Sequence, residues 1–325
     1  MISLLSGRIR VTVLVFILVS LPFASGQQLE EQVTVELVQV DLVATDSKGS
    51  VVTDLKEEDF TLKENGRVQT ITHFYNSAND QSRYPLTISF VIDTSYSMHE
   101  RVAGLTRIDI AVKAAELVMN QLKTDDLIEL IEFNEKAEAI VPFTSEVESV
   151  QEKFGTLNFR EANTAIHDAV LFALNSIKGH PGRKIIVIFS DGMDSASKSV
   201  EEDVVAAIRK SDATIISFYS EFAKLNFPTS GGGLGGNPTT IGRVKILTGE
   251  DILRQYAEMS GGQFFSFRKE PELLKAMESF RAFVQSQYTL AYTPPNDKKQ
   301  QWRKIKVECK RKGVKLRYRE GYWAG

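Results

Sequence analysis

Cysteine is nearly absent: Cys309 is the only one in 325 residues. No internal disulfide can form, even in a compartment that permits them. After Leu21 no stretch approaches the ~20 apolar residues of a membrane span. Basic residues do not outnumber acids, 39 against 42, so bulk attraction to nucleic acid is not indicated. The glycines between Ser230 and Asn237 are followed by no Gly-Lys-Ser/Thr, which excludes a phosphate loop. None of the serines lies in a Gly-x-Ser-x-Gly elbow. His167, beside Asp168 at the start of a predicted helix, reads as a cap or a solvent-facing residue. What remains is ordinary globular composition, 42% hydrophobic and 25% charged. The length suits one large domain with a smaller one.

The N-terminus carries Arg8 and Arg10 without an acid, then the apolar run Val11 to Leu21, then small residues at Ala24 and Gly26. That is the layout of a secretory signal peptide over residues 1–26, cleaved after Gly26. The run is too short to span a bilayer comfortably, so no stable membrane span is expected after cleavage. The expected location is therefore exported, periplasmic or secreted. Taking two arginines from the 39 basic residues leaves 37 against 42 acidic ones in the mature chain.

The stretch Phe90-Val-Ile-Asp-Thr-Ser-Tyr-Ser-Met98 organises the rest. Leu86 to Ile92 is a short apolar run with β-branched and aromatic residues, as expected of a buried parallel strand. It ends in Asp93, Ser95 and Ser97. Ligands of open α/β sheets sit past the carboxyl ends of the strands. A carboxylate and two hydroxyls are hard oxygen donors, suited to Mg²⁺ or Mn²⁺. Two further loops offer similar chemistry. Asn163-Thr164-Ala165 precedes an amphipathic helix, and Ser190-Asp191-Gly192 ends the apolar strand Lys184 to Phe189.

From Pro85 onward strands alternate with helices. Thr106-Arg-Ile-Asp109 is a candidate capping box, and Ile108, Ala111, Val112, Ala115, Val118, Met119 and Leu122 mark one helical face. Leu127–Phe133 is a strand, with Ala137–Phe143 as its antiparallel edge partner. A helix follows Thr164 with Ile166, Ala169, Val170, Ala173, Leu174 and Ile177 on one face. Further helices are expected from Ser145, over Val200–Lys210 and Asp251–Met259, and from Pro271 to about Gln285. Strands are expected at Ala213–Ser220 and Gln263–Phe267. This alternation predicts an α/β fold, a doubly wound and mainly parallel sheet over residues 85–285.

The flanks differ. Residues 27–84 read as a β segment ending in a polar linker, Asn76–Tyr84, and residues 286–325 as β structure; neither is large enough to bury a core alone. In the first, alternation changes phase between Leu37 and Val38, Asp54–Glu57 suggests a helical turn, and Glu64-Asn-Gly66 marks a type I′ hairpin running into Val68–Phe74. In the second, Tyr288–Tyr292, Ile305–Cys309 and Val314–Tyr318 alternate, with Cys309 packing inward. The two flanks are expected to pack together as a small β module. Lys298 to Arg319 holds eleven basic residues against one acid, Glu308. A solvated strand face explains that run; a surface for anionic polysaccharide or lipid headgroups is the sharper reading. The Gly-rich segment Thr229–Arg243 reads as a surface insertion, alternatively a partner-contacting loop.

Asp93-x-Ser95-x-Ser97, with Thr164 and Asp191 following in order, resembles the metal-ion-dependent adhesion site of von Willebrand factor A (VWA) domains. Ala162 and Asn163 stand where that family often has glycines before its threonine. The resemblance implies that Ser95 and Ser97 ligate Mg²⁺ or Mn²⁺ directly, and Thr164 in a ligand-competent state. Asp93 and Asp191 would hold coordinated waters, or one of them would ligate. A Glu or Asp of a protein partner would take the remaining position. Asp54-Leu-Lys-Glu-Glu-Asp-Phe60 and Glu320-Gly-Tyr-Trp323 extend the likeness to bacterial secreted VWFA-related proteins of the Acidobacteria type. The expectation is a non-enzymatic binding protein. The alternatives are a structural envelope module whose metal only stiffens loops, and a Mg²⁺-dependent phosphatase-like hydrolase. The hydrolase lacks the second aspartate such enzymes place two residues after the first, where this chain has Ser95.

Overall fold

The computed structural model describes residues 37–78, 85–102, 104–220, 248–285, 288–295 and 300–324. In chain order the elements are β1 (Val38–Thr45), β2 (Phe60–Glu64), β3 (Arg67–Val68), β4 (His73–Asn76), β5 (Leu86–Asp93), β6 (Arg101–Val102), β7 (Leu105–Thr106), α1 (Arg107–Met119), β8 (Leu127–Phe133) and β9 (Ala137–Thr144). Then come α2 (Val147–Phe154), α3 (Ile166–Ile177), β10 (Arg183–Ser190), α4 (Glu201–Lys210), β11 (Thr214–Ser220), α5 (Gly249–Met259), β12 (Phe264–Phe267) and α6 (Glu270–Gln285). The last four strands are β13 (Tyr288–Tyr292), β14 (Gln301–Cys309), β15 (Lys315–Tyr318) and β16 (Gly321–Ala324).

Every residue of β5 is buried, because the strand is central and helices cover both of its faces. It pairs in parallel with β10 and β8 in a six-stranded sheet of order β12-β11-β10-β5-β8-β9. Only β9, at the edge, runs antiparallel, as its sequence predicts. Side chains alternate across a strand. Ile88, Phe90 and Ile92 therefore pack with α1, α2 and α6 on one face. Val91, with Ile186 and Ile188 of β10, packs with α3, α4 and α5 on the other. The predicted capping box starts α1: Thr106 Oγ1 accepts from Asp109 N at 3.0 Å, and Asp109 Oδ2 accepts from Thr106 N at 2.9 Å. Such caps contribute about 1 kcal/mol. No helix among the described residues is long and apolar enough to cross a membrane.

The flanking strands form two four-stranded sheets, β15-β1-β13-β4 and β16-β14-β2-β3. Each mixes strands from both ends of the chain. Their facing sides enclose Val40, Leu42, Phe60, Leu62, Tyr288, Leu290, Tyr292, Ile305 and Val307. Cys309 is half-buried against this core. Asn65 (φ 48°) and Gly66 (φ 81°) turn the expected hairpin. The strand expected over Val68–Phe74 is instead split between the sheets: β3 stays beside β2, while β4 crosses to β13. The helical turn expected at Asp54–Glu57 is a 3₁₀ turn over Glu57–Asp59. β16 and the hairpin of β6 with β7 were not anticipated.

Arg303 departs from the solvated-face reading of the basic run. It is buried and pairs with Glu64 at 3.0 Å, and the hydroxyls of Tyr292 and Tyr322 donate to the same carboxylate at 2.6 and 2.9 Å. Arg319 is also drawn in, donating to Gln39 O at 2.9 Å and Ser211 O at 3.4 Å, across from the sandwich to the central domain. Val43 joins the central domain's core. The expected leader, the alternation at Val33–Val35, the turn at Asn296-Asp297 and the Thr229–Arg243 insertion lie outside the described residues.

Candidate metal centre

Asp93 is the last residue of β5, and Ser190 is the last residue of the adjacent β10. The parallel register, with Phe189 opposite Ile92, brings Asp93 and Asp191 to the same sheet edge. Asp93 is fully buried. Its Oδ1 accepts from Ser95 N at 2.9 Å, and its Oδ2 accepts from Ser190 Oγ at 2.6 Å. Ser95 Oγ lies 3.3 Å from Ser97 Oγ. The 3₁₀ turn Tyr96–His99 follows directly.

Asp191 is also buried. Its Oδ1 accepts from Met193 N at 3.1 Å. Gly192 has φ +70°, and a Cβ there would lie 2.2 Å from Gly249 O. A Cβ on Gly249 would in turn lie 2.4 Å from Asp191 O. Two glycines thus let the start of α5 press against the loop that presents Asp191.

Thr164 lies in a loop tied on both sides. Ala165 N donates to Asn134 O at 2.7 Å, and Asn134 Nδ2 reaches Thr94 Oγ1 at 3.4 Å. Arg160 N donates to Thr94 O at 2.6 Å. On the other side Thr164 N donates to Ser195 Oγ at 3.1 Å, while Ser195 N and Ala196 N donate to Thr164 O. Asp194 Oδ1 accepts from Ile166 N, and Ser197 Oγ accepts from His167 N and Asp168 N. These side chains satisfy the free N–H groups at the start of α3. The loop after Asp191 therefore caps the helix after Thr164, which joins the second and third loops into one piece.

Burial, and then the charge of Asp191, push the Asp93 carboxyl up to about 7. The candidate residues, two acids and three hydroxyls, offer only oxygen donors, the chemistry that a hard divalent cation takes. The set has only two acids, and no three Asp, Glu, His or Cys among the described residues are placed to hold a metal ion together. One cation of the protein's own reaches it. Arg107 is buried; its Nη1 lies 3.5 Å from Asp191 Oδ2 and 3.1 Å from Ser97 O, and its Nη2 is 3.1 Å from Glu100 Oε2. Sequence reasoning passed over Arg107. Its signal was a basic residue in the first turn of a helix, where the dipole disfavours it.

The family model of the von Willebrand factor type A domain matches residues 88–193, which span the first and third loops and enclose the second. The chain carries a von Willebrand factor type A domain. A UPF0353 protein of Nocardia farcinica is 26% identical over 205 residues, 58% of this chain and 59% of that protein. The chain thus spans about three fifths of the length of this relative. Among solved structures, the conserved hypothetical protein BatB of Bacteroides thetaiotaomicron superposes with a TM-score of 0.47 at 16% identity, over 62% of this chain and 100% of that one. Proximal thread matrix protein 1 of the mussel byssus, solved with a zinc-occupied MIDAS motif, gives 0.47 at 14% identity, over 64% of this chain and 47% of that one.

Two features of the VWA domain differ from expectation or were missed. His167 neither caps α3 nor faces solvent: it is buried, and its Nδ1 lies 2.8 Å from the Tyr256 hydroxyl. It is covered because the 194–197 loop and α5 close over the start of α3. Beside the Asp93–Ser97 loop, Tyr96 (52% exposed), His99 and Phe159 (39% exposed) form an open aromatic cluster, with ring centroids 4.3 to 6.2 Å apart. Met193, next to the Asp191 loop, is exposed as well.

Proposed function

We propose that this chain is an exported binding protein whose VWA domain captures a protein partner through a divalent cation. Asp93, Ser95, Ser97, Thr164 and Asp191 hold Mg²⁺ or Mn²⁺. Hydroxyls supply most of the donors, so the bound ion stays electrophilic. The remaining coordination position takes a Glu or Asp carboxylate of the partner. The observation that carries this reading is the pair of buried carboxylates, Asp93 and Asp191, set among serine hydroxyls at one sheet edge. Buried charges are normally paired or coordinate metals. The open Tyr96–His99–Phe159 cluster supports a partner surface around the ion, since aromatic side chains are enriched at interfaces.

One observation favours a second reading. Arg107 already places a cation beside Asp191, as a site would if its loops were only stiffened by the metal. In that case the protein is a structural module of the cell envelope. Export rests on the leader-like N-terminus and is tested by N-terminal sequencing of the secreted form.

Titration calorimetry of Mg²⁺ and Mn²⁺ into the mature protein, with Asp93→Ala alongside, tests the site. Binding by the wild type that disappears in the variant is the expected result. Equal heats from both proteins would overturn the assignment.

A further inference from the structure

The chain has two tryptophans, and both lie at one place far from the metal loops in sequence. Trp302 on β14 and Trp323 on β16 are register partners, so they share one face of the sheet. That face points away from the sandwich core: Trp302, Lys304 and Lys306 are exposed, while Arg303, Ile305 and Val307 between them are buried. Lys306 is opposite Lys63 on β2, and Lys63 is opposite Val68, which is 66% exposed. At ~3.3 Å per residue, Trp302 to Lys306 covers about 13 Å along the strand.

The platform is built rather than incidental. Gly321 is the register partner of Lys304, and a Cβ on it would lie 2.5 Å from Trp302 Cζ2. The missing side chain lets the indole lie flat across β16. Arg209 of α4 sits 5.9 Å from the centre of that ring. Covering a strand glycine explains one indole structurally. It explains neither Trp323, 44% exposed, nor the charges around the pair. Lys63 and Lys306 share Glu308, at 2.8 Å each. Lys304 and Arg209 have no ion pair among the described residues. Four cations against one acid leave this face basic on a chain that is acidic overall.

We propose that this outer face of the β16-β14-β2-β3 sheet binds an anionic polysaccharide. Flat indoles stack on the C–H faces of sugar rings. The lysines beyond them meet carboxylate or sulfate groups along the polymer. A strip of exposed side chains running along β14 fits a chain ligand. Each indole is more than half covered and lies on the sheet, which suits stacking better than insertion into a lipid surface.

Both tryptophans report on this face, so indole emission of the full mature chain reads its occupancy directly. Polygalacturonate is titrated in, with uncharged dextran and phosphatidylglycerol vesicles as the other arms. The expected result is a saturable emission change with polygalacturonate and none with dextran. It weakens as salt is added and is indifferent to a metal chelator. Trp323→Ala, read from the remaining Trp302, lowers the affinity at least about tenfold, as loss of a central Trp anchor does. Lys304→Glu weakens binding while the circular dichroism spectrum is retained, which separates lost contact from lost fold. No response to polygalacturonate would overturn the proposal. So would an undiminished response in both variants. A response confined to the vesicles would assign the face to a lipid surface instead.

Discussion

Replacing Asp93 with asparagine is predicted to stabilise the metal-free protein at alkaline pH while abolishing metal binding. Burial and the neighbouring Asp191 raise the Asp93 carboxyl from 3.8 to about 7. A pKa higher in the folded state means that the folded protein holds the extra proton between those two values. Stability of the metal-free wild type therefore falls as pH rises from about 4 to about 7, and stays low above that. A pKa difference of one is about 1.4 kcal/mol, so the loss amounts to about 4 kcal/mol at pH 8. Asparagine carries no charge and still offers an oxygen to Ser95 N. It gives up the acceptor for Ser190 Oγ, at a cost of about 1 kcal/mol. The variant should thus exceed the wild type by about 3 kcal/mol at pH 8 in chelator, and fall about 1 kcal/mol below it at pH 4. Mg²⁺ at a hundredfold excess over its Kd should then raise the wild type alone, by about 2.7 kcal/mol. Urea unfolding followed by circular dichroism, at pH 4, 6 and 8, measures all of these. A chelated wild type that is more stable than Asp93→Asn at pH 8 would refute the reasoning.

Other perturbations test the surroundings. Gly249→Ala places a methyl against Asp191 O; calorimetry should show metal affinity lowered about tenfold or more, with overpacking costing about 1–3 kcal/mol in unfolding experiments. Arg107→Met leaves Asp191 without that cation, so the chelated protein should lose about 3 kcal/mol and its melting temperature should depend more steeply on Mg²⁺. In the sandwich, Glu64→Ala removes the buried carboxylate shared by Arg303, Tyr292 and Tyr322 and should cost about 3–5 kcal/mol. Glu308→Ala, on the solvent face, should change stability far less, because its ion pairs are open to solvent; equal effects from the two would show that burial is not what separates them.

The central sheet could be read directly from the chain. The stretches Leu86–Ile92, interrupted only by Thr87 and Ser89, and Ile185–Phe189 are apolar enough to be buried on both faces, and the helices between them carry apolar stripes. The first and third loops came with them, because Asp93 and Asp191 follow those two strands immediately. Short elements were harder. β16 exists only through its pairing with the start of β14, and four residues carry too little periodicity to announce it. Arg303 was in principle readable: it is in phase with Ile305 and Val307, and Glu64 is in phase with Phe60 and Leu62. Two opposite charges on inward positions of paired strands imply a buried ion pair. His167 was not readable, since what covers it comes from loop 194–197 and from Tyr256, distant in sequence.

Metal-bridged capture of a carboxylate is tested most directly by water-proton relaxation of the Mn²⁺-loaded protein. Water on the bound Mn²⁺ enhances relaxation, and a carboxylate that takes a coordination position removes part of that enhancement. A short glutamate-containing peptide should lower the enhancement in a saturable way, and the same peptide with glutamine should not. An enhancement unchanged by glutamate, or lowered equally by both peptides, would contradict the account.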